Sequence, residues 1–188
     1  MLMDARDRDS DQSMPDNQLV NEIMTLIVAV YETTASTLNW IWYLLSQHPA
    51  VEQKLSAEIA GANGCPTLGH LSHYQYTRRV IEETLRLFPA GWLMTRRALK
   101  DDQIAGYAIQ AGAEVYVSPY MIQRHPDLWK QPDLFDPDRF EASQVSQRHP
   151  LAMMAFSAGP RNCIGEHLAR MELQTHVLMR SKTPPSLP

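Results

Sequence analysis

The stretch from Asp16 to Leu45 constrains the fold more than any other part of this chain. Between Ile23 and Leu45, 23 residues carry a single charge, Glu32. Asp16 and Asn17 follow Pro15 and can cap a helix, and His48-Pro49 stops it, because the residue before a proline avoids the helical region. At about 1.5 Å per residue, some 30 helical residues reach roughly 45 Å. A compact globule of this length has a radius of gyration of about 16 Å, hence a diameter near 40 Å. One helix would therefore run the width of the molecule. It is apolar or weakly polar on nearly every side, which demands neighbours all round it.

The stretch is long enough to cross a bilayer, which takes about 20 apolar residues. Thr25, Thr33, Thr34, Ser36, Thr37 and Asn39 dilute it, however, and a central carboxylate costs roughly 2.5–3.5 kcal/mol on insertion. The expectation is a helix buried in protein, with no membrane segment in this chain.

Composition agrees with a soluble globular domain or part of a larger one: 188 residues, 44% hydrophobic and 20% charged. Disordered, collagen-like and disulfide-built chains are excluded. A net charge of −4 argues against nucleic acid as a partner, which calls for a basic stripe. Cys65 and Cys163 form no Cys-x-x-Cys pair, which fits a reducing compartment. Met1 to Met14 is polar and aspartate-rich, unlike a secretory signal, so the expected location is cytoplasmic.

A second helix is expected from Pro49 to Ala60, ended by Gly61-Ala62-Asn63-Gly64. A third fits Tyr74 to Phe88, with Val80, Ile81, Thr84, Leu85 and Phe88 on one side and Pro89 as terminator. Tyr107-Ala108-Ile109 and Glu114-Val115-Tyr116-Val117 read as hairpin strands across a Gly112 turn. Six prolines between Pro119 and Pro160 predict an irregular wrap anchored by Trp129, Phe135 and Phe140. A last helix starts near Ile164, carries Leu168, Met171, Val177 and Leu178 inward, and ends at Thr183-Pro184-Pro185. The fold class is thus mainly α with a small β-sheet.

Chemistry concentrates in Phe156-Ser157-Ala158-Gly159-Pro160-Arg161-Asn162-Cys163-Ile164-Gly165. It puts a cysteine at the mouth of a helix, in a glycine-punctuated turn whose N–H groups can point at the sulfur. Such surroundings favour a thiolate, a soft metal ligand. Gly159 and Gly165 let backbone approach a flat partner, Phe156 supplies an apolar wall, and Arg161 can reach an anionic group. A cysteine taken alone is more often a small buried hydrophobe, so the weight lies in the spacing.

This segment resembles the F-x-x-G-x-R-x-C-x-G loop of the cytochrome P-450 superfamily, the haem-thiolate monooxygenases. The resemblance implies that Cys163 is the axial thiolate on the iron of haem b and that Arg161 partners a haem propionate. Thiolate ligation pushes electron density to iron and favours cleavage of the O–O bond.

Glu83-Thr84-Leu85-Arg86 on the third helix places acid and base at i and i+3, on one face. Glu82 is i, i+4 to Arg86, so spacing alone does not choose between the acids. The family's E-x-x-R motif selects Glu83, and its P-x-R-F segment, here Pro137 to Phe140, implies a Glu83, Arg86 and Arg139 cluster bracing the cysteine loop. Ala29-Val30-Tyr31-Glu32-Thr33-Thr34 sets an acid and a threonine in mid-helix, where a hydroxyl can leave the helical ladder. It resembles the family's A-G-x-[DE]-T-T signature, which implies that Glu32 and Thr33 deliver protons for dioxygen activation. Arg96, ten positions before Gly106, matches a weaker family pattern that implies a second propionate contact, with Arg97 as its rival.

In family terms the chain is the C-terminal portion of one catalytic domain. It divides into an exposed loop (1–17), the central oxygen-activating helix (18–48), two helices (49–90), a small sheet (91–118), a meander (119–155), the haem-thiolate loop (156–165) and the last helix (164–182). The implied activity inserts one atom of dioxygen into a C–H bond of a small hydrophobic organic substrate. Electrons would come from NAD(P)H through a ferredoxin or flavoprotein reductase. Two other readings stand beside it: a truncated, inactive homologue that binds haem weakly or not at all, and a peroxide-using haem-thiolate enzyme, against which the Glu32-Thr33 pair argues.

Val30 departs from the family pattern, where glycine is usual. A β-branched side chain is stiff and fills space beside the haem face that glycine would leave open. Val30→Gly is expected to raise coupled turnover in haem-loaded protein, measured as product formed per electron donor consumed; unchanged coupling would count against it.

Overall fold

A computed structural model describes residues 6, 9, 11–61 and 68–181. Cys65, the end of the Gly61 to Gly64 turn and the Thr183-Pro184-Pro185 stop lie outside the described residues. The long helix is α1 (Asp16–Gln47), followed by α2 (Pro49–Gly61), a 3-10 turn (Leu68–His73) and α3 (Gln75–Leu87). Four short strands come next, β1 (Met94–Arg97), β2 (Asp102–Ile104), β3 (Tyr107–Ile109) and β4 (Glu114–Val117). Short helices α4 (Pro119–Ile122) and α5 (Ala142–Val145) and several 3-10 turns punctuate the proline-rich wrap, and α6 (Glu166–Ser181) closes the described chain. The wrap is therefore more regular than its prolines predict: Pro119, Pro137 and Pro150 each sit in the first turn of a short helix, where the missing N–H has no partner to lose.

The core lies around α3. Every residue from Val80 to Leu87 is buried, including Glu82, Glu83 and Arg86. α1, α2, α6 and the Pro137–Phe140 turn all pack on this helix. α1 contributes Thr37, Ile41, Leu44 and Leu45, a stripe at helical spacing, and α6 contributes Leu173, Val177 and Leu178. Leu168 and Met171, expected to point inward, are exposed, since the inward stripe of α6 runs through Leu173 instead. Trp129 and Phe135 anchor the wrap in the interior.

The expectation of a helix buried along its whole length is corrected. Val20, Ile23, Met24, Ile27, Val28 and Tyr31 on the N-terminal half of α1 are exposed, because only its C-terminal half meets the core cluster. Among the described residues, no helix is long and apolar enough to cross a membrane.

The strand pairing also differs from the expected hairpin. β3 does not pair with β4. Instead β2 pairs antiparallel with β3, and β1 with β4, Met94 opposite Val117 and Arg97 opposite Glu114. Ala105 and Gly106 both adopt positive φ, at 49° and 89°, the geometry a two-residue hairpin turn requires. The turn therefore falls there. Gly112, with φ of 83°, only leads the chain back so that Ala98 can bond both Gly112 and Ala113.

The start of α3 is held from outside. Its own flank, Tyr74, provides no side-chain cap. Glu58 of α2 accepts hydrogen bonds from the Tyr76 N–H (2.6 Å), the Thr77 N–H (2.8 Å) and the Thr77 hydroxyl (2.7 Å). A carboxylate there also suits the positive end of the helix dipole. Removing a capping acceptor costs about 0.5–2 kcal/mol, so Glu58→Ala is expected to lower the far-UV circular dichroism melting temperature by roughly 2–6 °C. Glu58→Gln, which keeps an acceptor oxygen, should lose less.

Candidate functional site

The loop 156–165 is shaped by two left-handed residues, Ser157 (φ 69°) and Gly159 (φ 71°). Only Gly159 adopts that conformation without a Cβ penalty. A 3-10 turn spans Gly159–Arg161. The Cys163 N–H donates to the Phe156 carbonyl at 2.9 Å, and the Asn162 N–H to the Gly159 carbonyl at 3.0 Å. Two short rings thus fold the loop back on itself and present Cys163 three residues before α6, with its side chain exposed.

That thiol lies on the wall of a cavity of about 310 Å³ between the loop and the mid-section of α1. Phe156, Arg161, Cys163 and Gly165 line one side, and Ala29, Val30, Thr33 and Thr37 the other. Gly159 shapes the loop without lining the cavity. Of the expected relay, Thr33 faces the cavity and Glu32 is exposed outside its lining. The Thr33 hydroxyl donates to the Ala29 carbonyl at 2.6 Å, and the Thr37 hydroxyl to the Thr33 carbonyl at 2.9 Å. Both bond back within α1, which stays a continuous helix here. Arg96 lies on β1, exposed and outside the lining, with Nη1 donating to the Thr95 carbonyl at 2.8 Å. Glu172 of α6 brings a carboxylate to the cavity edge, a residue the sequence did not single out.

Behind the loop stands a buried charge cluster. Arg86 Nε and Nη2 donate to the two carboxylate oxygens of Glu83 at 2.6 and 2.8 Å. Nη1 donates to the Gln123 and Pro132 carbonyls at 2.8 and 2.7 Å, and Nη2 also to the Leu134 carbonyl at 3.2 Å. All five donors of the guanidinium are thereby used. Glu83 in turn accepts from the Asp136 N–H at 2.9 Å and meets Arg139 Nε at 3.4 Å. Burial pushes the Glu83 carboxyl up, opposed by Arg86, the Asp136 N–H and Arg139. Arg139 also donates through Nη1 and Nη2 to the Lys130 and Gln131 carbonyls. The structure so chooses between the two acids: Glu83 pairs with Arg86, and Glu82 pairs with Arg170 of α6.

Sequence reading did not anticipate Gln123. It is fully buried, and its Nε2 donates to the Leu85 and Arg86 carbonyls at 3.0 and 2.9 Å, satisfying the open end of α3. Its Oε1 accepts from the Met154 N–H at 2.7 Å, two residues before the cysteine loop. No local motif marks such a residue, because its partners lie more than thirty positions away on either side.

The donor set fits a flat, largely apolar group with an anionic edge: one thiol, one guanidinium, and walls of aliphatic and aromatic side chains. A family model described as Cytochrome P450 matches residues 1–179. Cyclooctatin synthase of Streptomyces melanosporofaciens is 36% identical over 167 residues, 88% of this chain and 36% of the relative. Cytochrome P450 4V2 of Homo sapiens is 37% identical over 93% of this chain and 34% of its own length. The crystal structure of the cytochrome P450DA heme domain superposes over 100% of this chain and 44% of its own, with a TM-score of 0.88 and 28% identity. The chain thus spans about a third of the length of the curated relatives it matches.

The Arg86 cluster has no tolerance for a smaller fork. Lysine offers three donors from one nitrogen, so Arg86→Lys gives up the two-point fork on Glu83 and leaves at least one of the five oxygens bare in the interior, at about 1–3 kcal/mol. A melting temperature lowered by roughly 5 °C or more is expected, with Glu83→Gln also destabilising because it strands the buried guanidinium.

Proposed function

Since this chain belongs to the cytochrome P450 family, we propose that it forms the haem-binding portion of a monooxygenase that inserts one atom of dioxygen into a C–H bond of an organic substrate. The observation that carries this reading is the Cys163 thiol, set on the wall of an apolar cavity and facing the Ala29 to Thr37 surface of α1. Haem b, when bound, supplies the activation of dioxygen.

Cys163 would hold the iron as a thiolate, and Arg161 on the same wall would neutralise a propionate, with Arg96, outside the lining, as a second candidate. Phe156 and Leu168 give the cavity an apolar wall beside the sulfur, while Gly159 and Gly165 keep the loop backbone low. On the opposite wall the proton of the Thr33 hydroxyl is committed to the Ala29 carbonyl, which leaves its oxygen as an acceptor toward the cavity. Glu32, exposed on the adjoining face of α1, exchanges protons with solvent and completes the relay. Glu83, Arg86 and Arg139 hold the wrap against α3. Electrons come from a ferredoxin or flavoprotein reductase fed by NAD(P)H, and the substrate is a small hydrophobic organic molecule.

A second reading, a chain that binds haem weakly or not at all, is favoured by one observation: the apolar N-terminal half of α1 is exposed.

Titration of the purified protein with haemin, followed by the difference spectrum of the reduced carbon monoxide complex, separates the two. A thiolate-type Soret band that disappears in Cys163→Ser is the expected result. Absence of haem uptake by the wild-type chain would establish the second reading.

A further inference from the structure

Glu82 lies next to the Glu83 cluster but belongs to a different assembly. The Arg170 guanidinium donates through Nη1 to Glu82 Oε1 of α3, and through Nε and Nη2 to Glu166 Oε1 in the first turn of its own helix, at 3.1 and 3.0 Å. The other Glu166 oxygen accepts from the Asn162 side-chain amide at 3.0 Å, so the triplet also holds the residue before Cys163. Arg170 Cζ stands 4.8 Å from the centroid of the Phe156 ring. Phe156 is the residue whose carbonyl accepts the Cys163 N–H. The guanidinium therefore touches α3, α6 and the loop at Phe156, and it reaches Asn162 only through Glu166. At 29% exposure Arg170 is well shielded, as is Glu82 at 10%, so the contacts act in a medium of low dielectric, where they are stronger than at a surface.

We propose that Arg170, locked by Glu82 and Glu166, is the positioning residue of the cysteine loop: it presses on Phe156 and braces Asn162, and so sets the direction of the Cys163 thiol. The functional meaning of that direction rests on Cys163 being the haem ligand; the mechanical statement does not. Two parts of the contact are separable. The charge of Arg170 joins α3 to α6 through Glu82. Its planar guanidinium, which an ammonium does not reproduce, lies over the Phe156 ring. Arg170→Lys keeps a charge for Glu82 and loses the planar stacking on Phe156.

The experiment is a double-mutant cycle between Arg170→Lys and Phe156→Leu in a Cys65→Ser background, read in two ways. Without haem, the rate of Cys163 alkylation by iodoacetamide is measured at one fixed pH. With haem, the share of the reduced carbon monoxide complex showing the thiolate-type band is measured. Arg170→Lys is expected to change the alkylation rate by about threefold, the scale of one cation–π contact, while its melting temperature stays close to that of the parent. The double variant is expected to match Phe156→Leu alone, because the two changes remove the same contact. An Arg170→Lys protein with parental alkylation rate, or effects of the two changes that simply add, would overturn the proposal. If the chain takes up no haem at all, the monooxygenase reading fails and the alkylation cycle still decides this one.

Discussion

Arg86 is the interaction on which the rest of the structure depends. A fully buried guanidinium is tolerable only when its charge is matched and every N–H has an oxygen, and here Glu83 with three backbone carbonyls provide them. Those carbonyls belong to Gln123, Pro132 and Leu134, so a stretch of the wrap with few regular hydrogen bonds of its own is organised by one side chain of α3. Trp129 sits within the same group, with Arg86 and Arg148 both at its ring face, Cζ at 4.9 and 4.0 Å from the centroid. The proline-rich segment does not need a ladder because it borrows partners from a helix.

From that centre the organisation spreads toward the cysteine. Gln123 fastens the end of α3 to Met154, Glu82 fastens its middle to Arg170, and Leu85 lines the cavity beside Phe156. The cysteine loop has short internal hydrogen bonds, yet its place is decided by three links to one buried helix. Glu58 holds the other end of that helix. α3 acts as a frame whose two ends and one face are all in use, and the cysteine loop hangs from it.

How much of this could be read from the residue string depends on how far apart partners lie. The stripe Thr37, Ile41, Leu44, Leu45 and the apolar spacing of Val80, Ile81, Leu85 are local patterns, and the helices they define are visible without coordinates. The cysteine loop is equally local: Phe156, Gly159, Arg161, Cys163 and Gly165 fall within ten residues, and both the fold class and the family are legible from them. The pairing of strands is not, because Ala105, a residue with a side chain, takes the left-handed turn that glycine would have advertised. Nor are the partners of Glu82 and Gln123, which are set by packing between distant segments. Periodicity also says that α1 is apolar all round without saying whether anything covers it, and there the expectation of burial failed along its N-terminal half.

The same half-covered helix gives the cavity two unequal sides. On the cysteine side, the lining is tied to the buried helix α3 through Gln123 and Arg170. On the α1 side, Ala29, Val30 and Thr33 stand just where the helix leaves its neighbours, with Thr37 the first buried position after them. The cavity thus lies between a loop fastened to α3 and a stretch of helix with one face uncovered. Anything that rests against the exposed face of α1 therefore meets the wall of the cavity from outside it.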